Sequence, residues 1–234
     1  MNKIIVNSKI IILFITALIT TSGFYGCSDT PTTPAQSENM SISVMNSVDS
    51  IGDSQNILIL DTVKILIKDI KLNVANNNQD STNFKVGPFV LYLNLHSGIN
   101  EITKAIIPAG QYDKVKFEIH KLNNNETVPD IDFSDANGTY SVIVKGRYLG
   151  NYFVYKSTKS AHQKLDFPNT IQNSESVFSN ITLVVKPYIW FLENNVYLDP
   201  TDLANANNID NNIKNNFKKN FKAFRDNDRN GIPD

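Results

Sequence analysis

The residues best spaced for chemistry lie at the end of the chain. In the closing run RDNDRNGIPD, Asp226, Asp228 and Asn230 occupy alternate positions, Gly231 follows, and Ile232 and Asp234 come after it. A calcium loop offers oxygens from positions 1, 3 and 5 and turns sharply at a glycine in position 6. It adds a backbone carbonyl at 7 and a further ligand at 9. Asp226, Asp228, Asn230, Gly231, Ile232 and Asp234 fill those positions in turn, while the bidentate glutamate of position 12 is missing. The pattern sets calcium binding through Asp226, Asp228, Asn230, the Ile232 carbonyl and Asp234 against a merely solvated polar tail.

Other candidates are weaker. PDIDFSD carries Asp130, Asp132 and Asp135; paired carboxylates can do acid–base work or hold a hard cation. Their spacing fits no familiar loop, and a solvated acidic turn is the expectation. His96, His120 and His162 have no second histidine, cysteine or carboxylate at metal-ligand spacing, which leaves three unrelated surface histidines. In KPYIWF, Tyr188 and Trp190 are the candidate ligand-binding pair. Exposed, they would stack on a sugar ring; buried, they would close the core. No Gly-x-Ser-x-Gly elbow, phosphate loop or dinucleotide fingerprint occurs, so no catalytic residue is assigned and a non-enzyme is expected.

The elements that must position these groups read as strands. In DKVKFEIHK, Val115, Phe117 and Ile119 alternate with polar residues, the signature of a half-buried strand. Phe89, Leu91, Leu93 and Leu95 share a parity, as do Tyr140, Val142 and Val144, then Tyr148, Tyr152 and Val154, then Ile181, Leu183 and Val185. The gaps between them are polar turns, too short for the helical crossovers that parallel neighbours need. In ILILDTVKILIKDIKLNV the parity changes between Ile67 and Ile70, so a strand with a bulge near Lys68-Asp69 is predicted. After LDPTD the period changes. Leu203, Ile209, Ile213, Phe217, Phe221 and Phe224 recur mostly three or four apart, an amphipathic helical stripe with Thr201 or Asp202 as its cap. The fold class is mainly β: an antiparallel β-sandwich, immunoglobulin- or transthyretin-like, with a C-terminal amphipathic helix.

The N-terminus reads as an export signal. Lys3 and Lys9 precede the apolar run Ile10 to Ile19, too short for a membrane span but suited to a signal core. Cys27, the only cysteine, rules out an internal disulfide. Residues 1–27 resemble a bacterial lipoprotein signal peptide, although Phe24 and Tyr25 depart from its usual Leu-small pair. The resemblance implies lipidation of Cys27; cleavage after Gly23, leaving a free thiol, is the alternative. The divisions expected are a signal peptide over 1–26, a lipidated cysteine and flexible tether over 27–56, and a β-sandwich over 57–199. A helix over 200–225 and an acidic tail over 226–234 complete the chain.

FKVGPFVLYLNL, IPAGQYDKVKFEIHKL, ITLVVKPYIWF and the LDPTD helix resemble the β-sandwich domain of unknown function found in surface lipoproteins of the Bacteroidota. The PAGQY turn is similar to hairpins of transthyretin-like and carboxypeptidase-regulatory modules, which are non-catalytic. The terminal loop resembles the Asp-x-Asp-x-Asn-Gly repeats of exported calcium-binding modules. These resemblances imply an outer-membrane or cell-surface address. With 22 basic and 23 acidic residues the net charge is −1, and neither nucleic acid nor any basic patch is indicated. The expected role is a non-enzymatic envelope lipoprotein, a binding or structural module whose partners are the membrane and a carbohydrate or another envelope protein. A calcium-assisted carbohydrate-binding or adhesion module is the alternative, and a hydrolase built on Asp130–Asp135 the third.

Overall fold

The computed structural model describes residues 38–46, 57–75, 82–93, 95, 98–123, 126–127, 130–174, 178–219 and 221–234. The signal segment, Cys27 and His96 lie outside the described residues. The chain there is a β-sandwich with one α-helix near its C-terminus. No helix among the described residues is long and apolar enough to cross a membrane.

Fifteen strands lie among the described residues, several very short. They run β1 (Met40–Asn46), β2 (Leu58–Val74), β3 (Thr82–Val86), β4 (Phe89–Tyr92), β5 (Ile99–Ala105), β6 (Gly110–Ile119), β7 (Ser134–Asp135) and β8 (Gly138–Thr139). Then come β9 (Val142–Tyr148), β10 (Asn151–Ser157), β11 (Ala161–Asn173), β12 (Ser179–Val185), β13 (Leu192–Glu193), β14 (Val196–Tyr197) and β15 (Lys222–Arg225). Helix α1 spans Ala206–Lys219. The smaller main sheet has the order β15-β12-β1-β5, and the larger one is built on β2.

β2 is the spine of the larger sheet. Strands β9 and β6 follow one another along one of its edges and meet at Leu66. There the Leu66 N–H donates to the Ser141 carbonyl at 2.8 Å, and the Leu66 carbonyl accepts from the His120 N–H at 3.4 Å. Strands β3 and β4 line the other edge in a shared register from Lys64 to Leu72, interrupted at Gly87-Pro88, and the β3 register shifts between Leu72 and Asn73. The predicted bulge is there: the β2–β6 register shifts between Ile67 and Asp69. Gly87 faces that bulge with φ at +130°, and a Cβ on it would run into the Lys68 carbonyl oxygen. Only glycine permits this approach.

The bulge resolves the parity change, so that Val63, Ile65, Ile67, Ile70 and Leu72 all enter the main core. Val115, Phe117 and Ile119 are buried with them, and Ile42, Val44, Ile181 and Leu183 answer from the smaller sheet. A chain of tilted rings, Trp190–Phe217–Phe221–Phe117, ties helix α1 into that core at centroid distances of 5.5, 5.2 and 4.6 Å. Asp202 supplies the cap, accepting from the Ala204 N–H at 2.8 Å ahead of the helix.

Four expectations need correction. The tether assigned to 27–56 contains a core strand: in MSISVMN, Met40, Ile42 and Val44 are buried on the sandwich side. Ser41 and Ser43, which made the segment read as solvated, are buried on the other face, each donating to Asn180 Oδ1. The helical stripe ends early, because Phe224 belongs to β15, paired with β12. In the β9–β10 hairpin Phe153 and Tyr155 face the core while Tyr152 and Val154 are exposed. Pairing sets Phe153 opposite Gly146, where the missing side chain leaves room for the ring. Finally, β1 and β12 pair in parallel. Crossover rules forbid that only for neighbours joined by a short connection, and these strands lie far apart in sequence.

Candidate functional site

The C-terminal loop is docked rather than frayed. Asp226 follows β15 and is fully buried. Its carboxylate accepts from Thr182 Oγ1 at 2.8 Å, the Asn230 N–H at 2.9 Å and the Gly231 N–H at 3.1 Å. Gly231 takes φ of +83° to make the turn. Below the loop, Asn180 donates through Nδ2 to Thr182 Oγ1 at 3.1 Å and to the Asp226 carbonyl at 2.9 Å. Arg229 reaches back to Ser41 Oγ at 3.2 Å and pairs with Glu101 on β5.

Asp226, Asp228 and Asp234 each bring a carboxylate oxygen within 4.8 Å of the other two. Three of the five expected calcium ligands are therefore gathered. Asn230 turns differently: its Oδ1 accepts from the Ile232 N–H at 2.7 Å, and its Nδ2 donates to Asp228 at 2.8 Å. Arg225 is seated against this group, 3.2 Å from Asp234.

The second acidic group is a clamp, not a solvated turn. Asp130 caps a 3-10 turn over Ile131–Phe133 by accepting from the Asp132 N–H. Lys64 on β2 lies 2.7 Å from both Asp130 and Asp132, and Lys145 on β9 lies 2.7 Å from Asp132. Lys156 on β10 sits 2.5 Å from Asp135 and over the Tyr140 ring. Burial alone would raise the Asp130 pKa; hydrogen bonds from Lys64, Tyr92 and the Asp132 N–H outweigh it and hold that pKa at about 2. Hydrogen bonds from Lys156, the Asn137 N–H and Tyr140 take Asp135 to about 2 as well. Carboxylates so depressed stay ionised at neutral pH and make poor general acids. Under the clamp, Phe133, Leu66, Leu122, Tyr140 and Ile143 form a small second core on the outer face of the larger sheet.

Trp190 is completely buried and packs on Phe217. Its face is closed to a sugar, so the proposed stacking pair loses its main member, and Tyr188 is half-buried against the core. What sets the fate of these rings is α1, which covers them.

Two groupings escape sequence reading. Strand register sets Lys85 opposite Lys71, Lys71 opposite Lys116, and Lys116 opposite Lys164. Four lysine positions thus stand in line across β3, β2, β6 and β11, spanning about 14 Å at the usual spacing of strands. Like charges directly opposite one another weaken a sheet, and Lys71 is offset by Asp69 of the adjoining row, at 3.2 Å. In that adjoining row His162 stands opposite Glu118, with His120 two residues beyond on the same face. Glu118 Oε1 is 3.8 Å from His162 Nε2, 3.9 Å from His120 Nδ1 and 3.3 Å from Lys68 Nζ. Lys71, Lys116, Lys164, His120 and His162 each lie next to core residues in the chain. That placement gives their face, while their neighbours depend on pairing between distant segments.

Fold and surface together define a β-sandwich module with a docked acidic loop at one place and a lysine row at another. No protein-family model, curated protein or solved structure matches the chain.

Proposed function

We propose that the chain is a non-enzymatic lipoprotein module of the cell envelope, exported by its N-terminal signal and held at the membrane through Cys27. Its partner in this reading is an acidic envelope polysaccharide, bound along the lysine row. The observation that carries the reading is the register of Lys85, Lys71, Lys116 and Lys164 across four adjacent strands. An extended sugar chain with one carboxylate or sulfate per residue repeats at a distance close to the strand spacing of about 4.8 Å. It meets one lysine on each of β2, β6 and β11. Neutral sugars are read mainly by exposed aromatic platforms, and the buried Trp190 offers none.

Retention of polygalacturonate by the whole chain tests the reading. Binding should weaken with salt, fail with neutral dextran, and disappear in a Lys71→Glu, Lys116→Glu, Lys164→Glu variant. Equal retention by that variant, or of dextran, would overturn it. The anchor has its own test: Cys27→Ser should leave the membrane fraction, and a variant that stays there sinks the lipid assignment.

A second reading, calcium-assisted adhesion, is favoured by the convergence of Asp226, Asp228 and Asp234. Calcium suits such a cluster because it takes several oxygen ligands in flexible geometry. In that reading the ion fastens the C-terminal loop to the smaller sheet.

A further inference from the structure

We infer that Glu118, His120 and His162 form a zinc-binding site on the outer face of the larger sheet, between the small second core and the lysine row. Zinc favours imidazole nitrogen with carboxylate oxygen, and three protein ligands leave its fourth position open. Neighbouring ligand atoms of a tetrahedral zinc site lie roughly 3.3 Å apart at ordinary bond lengths. Here both ring nitrogens stand within 3.9 Å of one Glu118 oxygen, about half an ångström wider than that edge, while the two nitrogens lie more than 4.8 Å from each other, a gap that His162 has to close by turning in.

The ligands sit on a firm base. Glu118 is in β6 and His120 is the residue just past its end, and His162 is Glu118's direct cross-strand partner on β11. Ile119, between the first two, is anchored in the main core. His162 is the adjustable member: its side chain is 74% exposed, so the ring turns onto an ion with little repacking.

Two neighbours bear on affinity. Ser160 Oγ lies 3.1 Å from His120 Nδ1 and must turn away when that nitrogen binds metal. Lys68 Nζ holds the same Glu118 oxygen at 3.3 Å. An arriving zinc ion has to displace that ammonium, and the partly exposed Lys68 side chain can swing out to solvent. The lysine therefore acts as a competitor occupying the place of the metal. On the other side, a pocket of about 150 Å³ lined by Leu66, Lys68, Pro88, His120, Leu122 and Glu126 gives solvent access to His120.

Calorimetric titration of the whole chain with zinc, in millimolar calcium so that the C-terminal carboxylates are not the sites observed, tests the inference. One zinc per chain is expected. His162→Ala and His120→Ala should each weaken binding by more than about tenfold, the scale on which even outer partners of a metal site act. Lys68→Met should tighten binding, a result that a merely structural role for the cluster does not give. Absence of zinc heat, or an affinity indifferent to His162→Ala, would overturn the inference. His162 is exposed, so its replacement leaves the fold intact.

Discussion

Two regions of this protein each gather three aspartates, and they handle the charge in opposite ways. Asp130, Asp132 and Asp135 meet Lys64, Lys145 and Lys156, one cation for each carboxylate, above a small apolar core. Asp226, Asp228 and Asp234 have Arg225 beside one of them and are otherwise satisfied by hydroxyl, amide and backbone N–H donors. A donor hydrogen bond orients a carboxylate without cancelling its charge. The first group is complete as a structural clamp. The second keeps an excess of negative charge that a cation would relieve.

The comparison can be broken at its base. If the clamp is held chiefly by what lies beneath it, Phe133→Ala should cost the most, about 3–5 kcal/mol, the usual price of emptying an aromatic core position. Urea denaturation measures this. A loss below 1 kcal/mol would mean that the lysines, and not Phe133, hold the loop.

Asp226→Ala comes next. It strands the Thr182 hydroxyl and two backbone N–H groups that the carboxylate now accepts from. The expected loss is about 2–4 kcal/mol, since each buried donor left unsatisfied costs 1–3 kcal/mol and some recover water. Asp132→Asn, in the half-exposed clamp, should cost about 1 kcal/mol or less.

Calcium sharpens the contrast. Saturating an extracellular-type site with a dissociation constant of about 10⁻⁴ M should stabilise the fold by about 1–3 kcal/mol at millimolar calcium. The melting temperature should rise accordingly, and Asp228→Ala should abolish the rise. Asp132→Asn should leave it intact. A melting curve unmoved by calcium would make the C-terminal loop a self-sufficient cap.

Acid tests the charges of the clamp directly. Asp130 and Asp135 have folded pKa values of about 2, against about 3.9 when unfolded. Their contribution is therefore fully present above about pH 4 and is lost as pH falls through about 2. Unfolding followed across that window should show a loss that shrinks in the Lys64→Met, Lys156→Met variant. An undiminished loss would place the acid sensitivity elsewhere.

Much of the fold was legible because its signals are local. The alternation of Val115, Phe117 and Ile119 gives both strand and face, and the parity change after Ile67 marks the bulge that Gly87 fits against. The C-terminal aspartates were legible for the same reason, being close in sequence. β1 was hidden because half of its residues are polar for a buried purpose: Ser41 and Ser43 serve Asn180, not solvent. Phe221 and Phe224 keep helical spacing although the helix has ended, because a packed aromatic can serve either element. The lysine row and the Glu118–His162 pair depend on register between strands remote in sequence. No periodicity within one strand encodes that.

The place of β1 also has a mechanical consequence. It lies in the middle of its sheet, matched over Met40–Asn46 with β12 and over Met40–Met45 with β5. Of the described strands it stands nearest the N-terminus, so a load arriving along the chain from that side reaches it before the others. Drawn along its own axis, β1 must shear both ladders at once, instead of peeling away one bond at a time as an edge strand would. The Ser41 and Ser43 contacts to Asn180 add a lateral pin against the same slip. Tension that reaches β1 is thus shared across three strands at once.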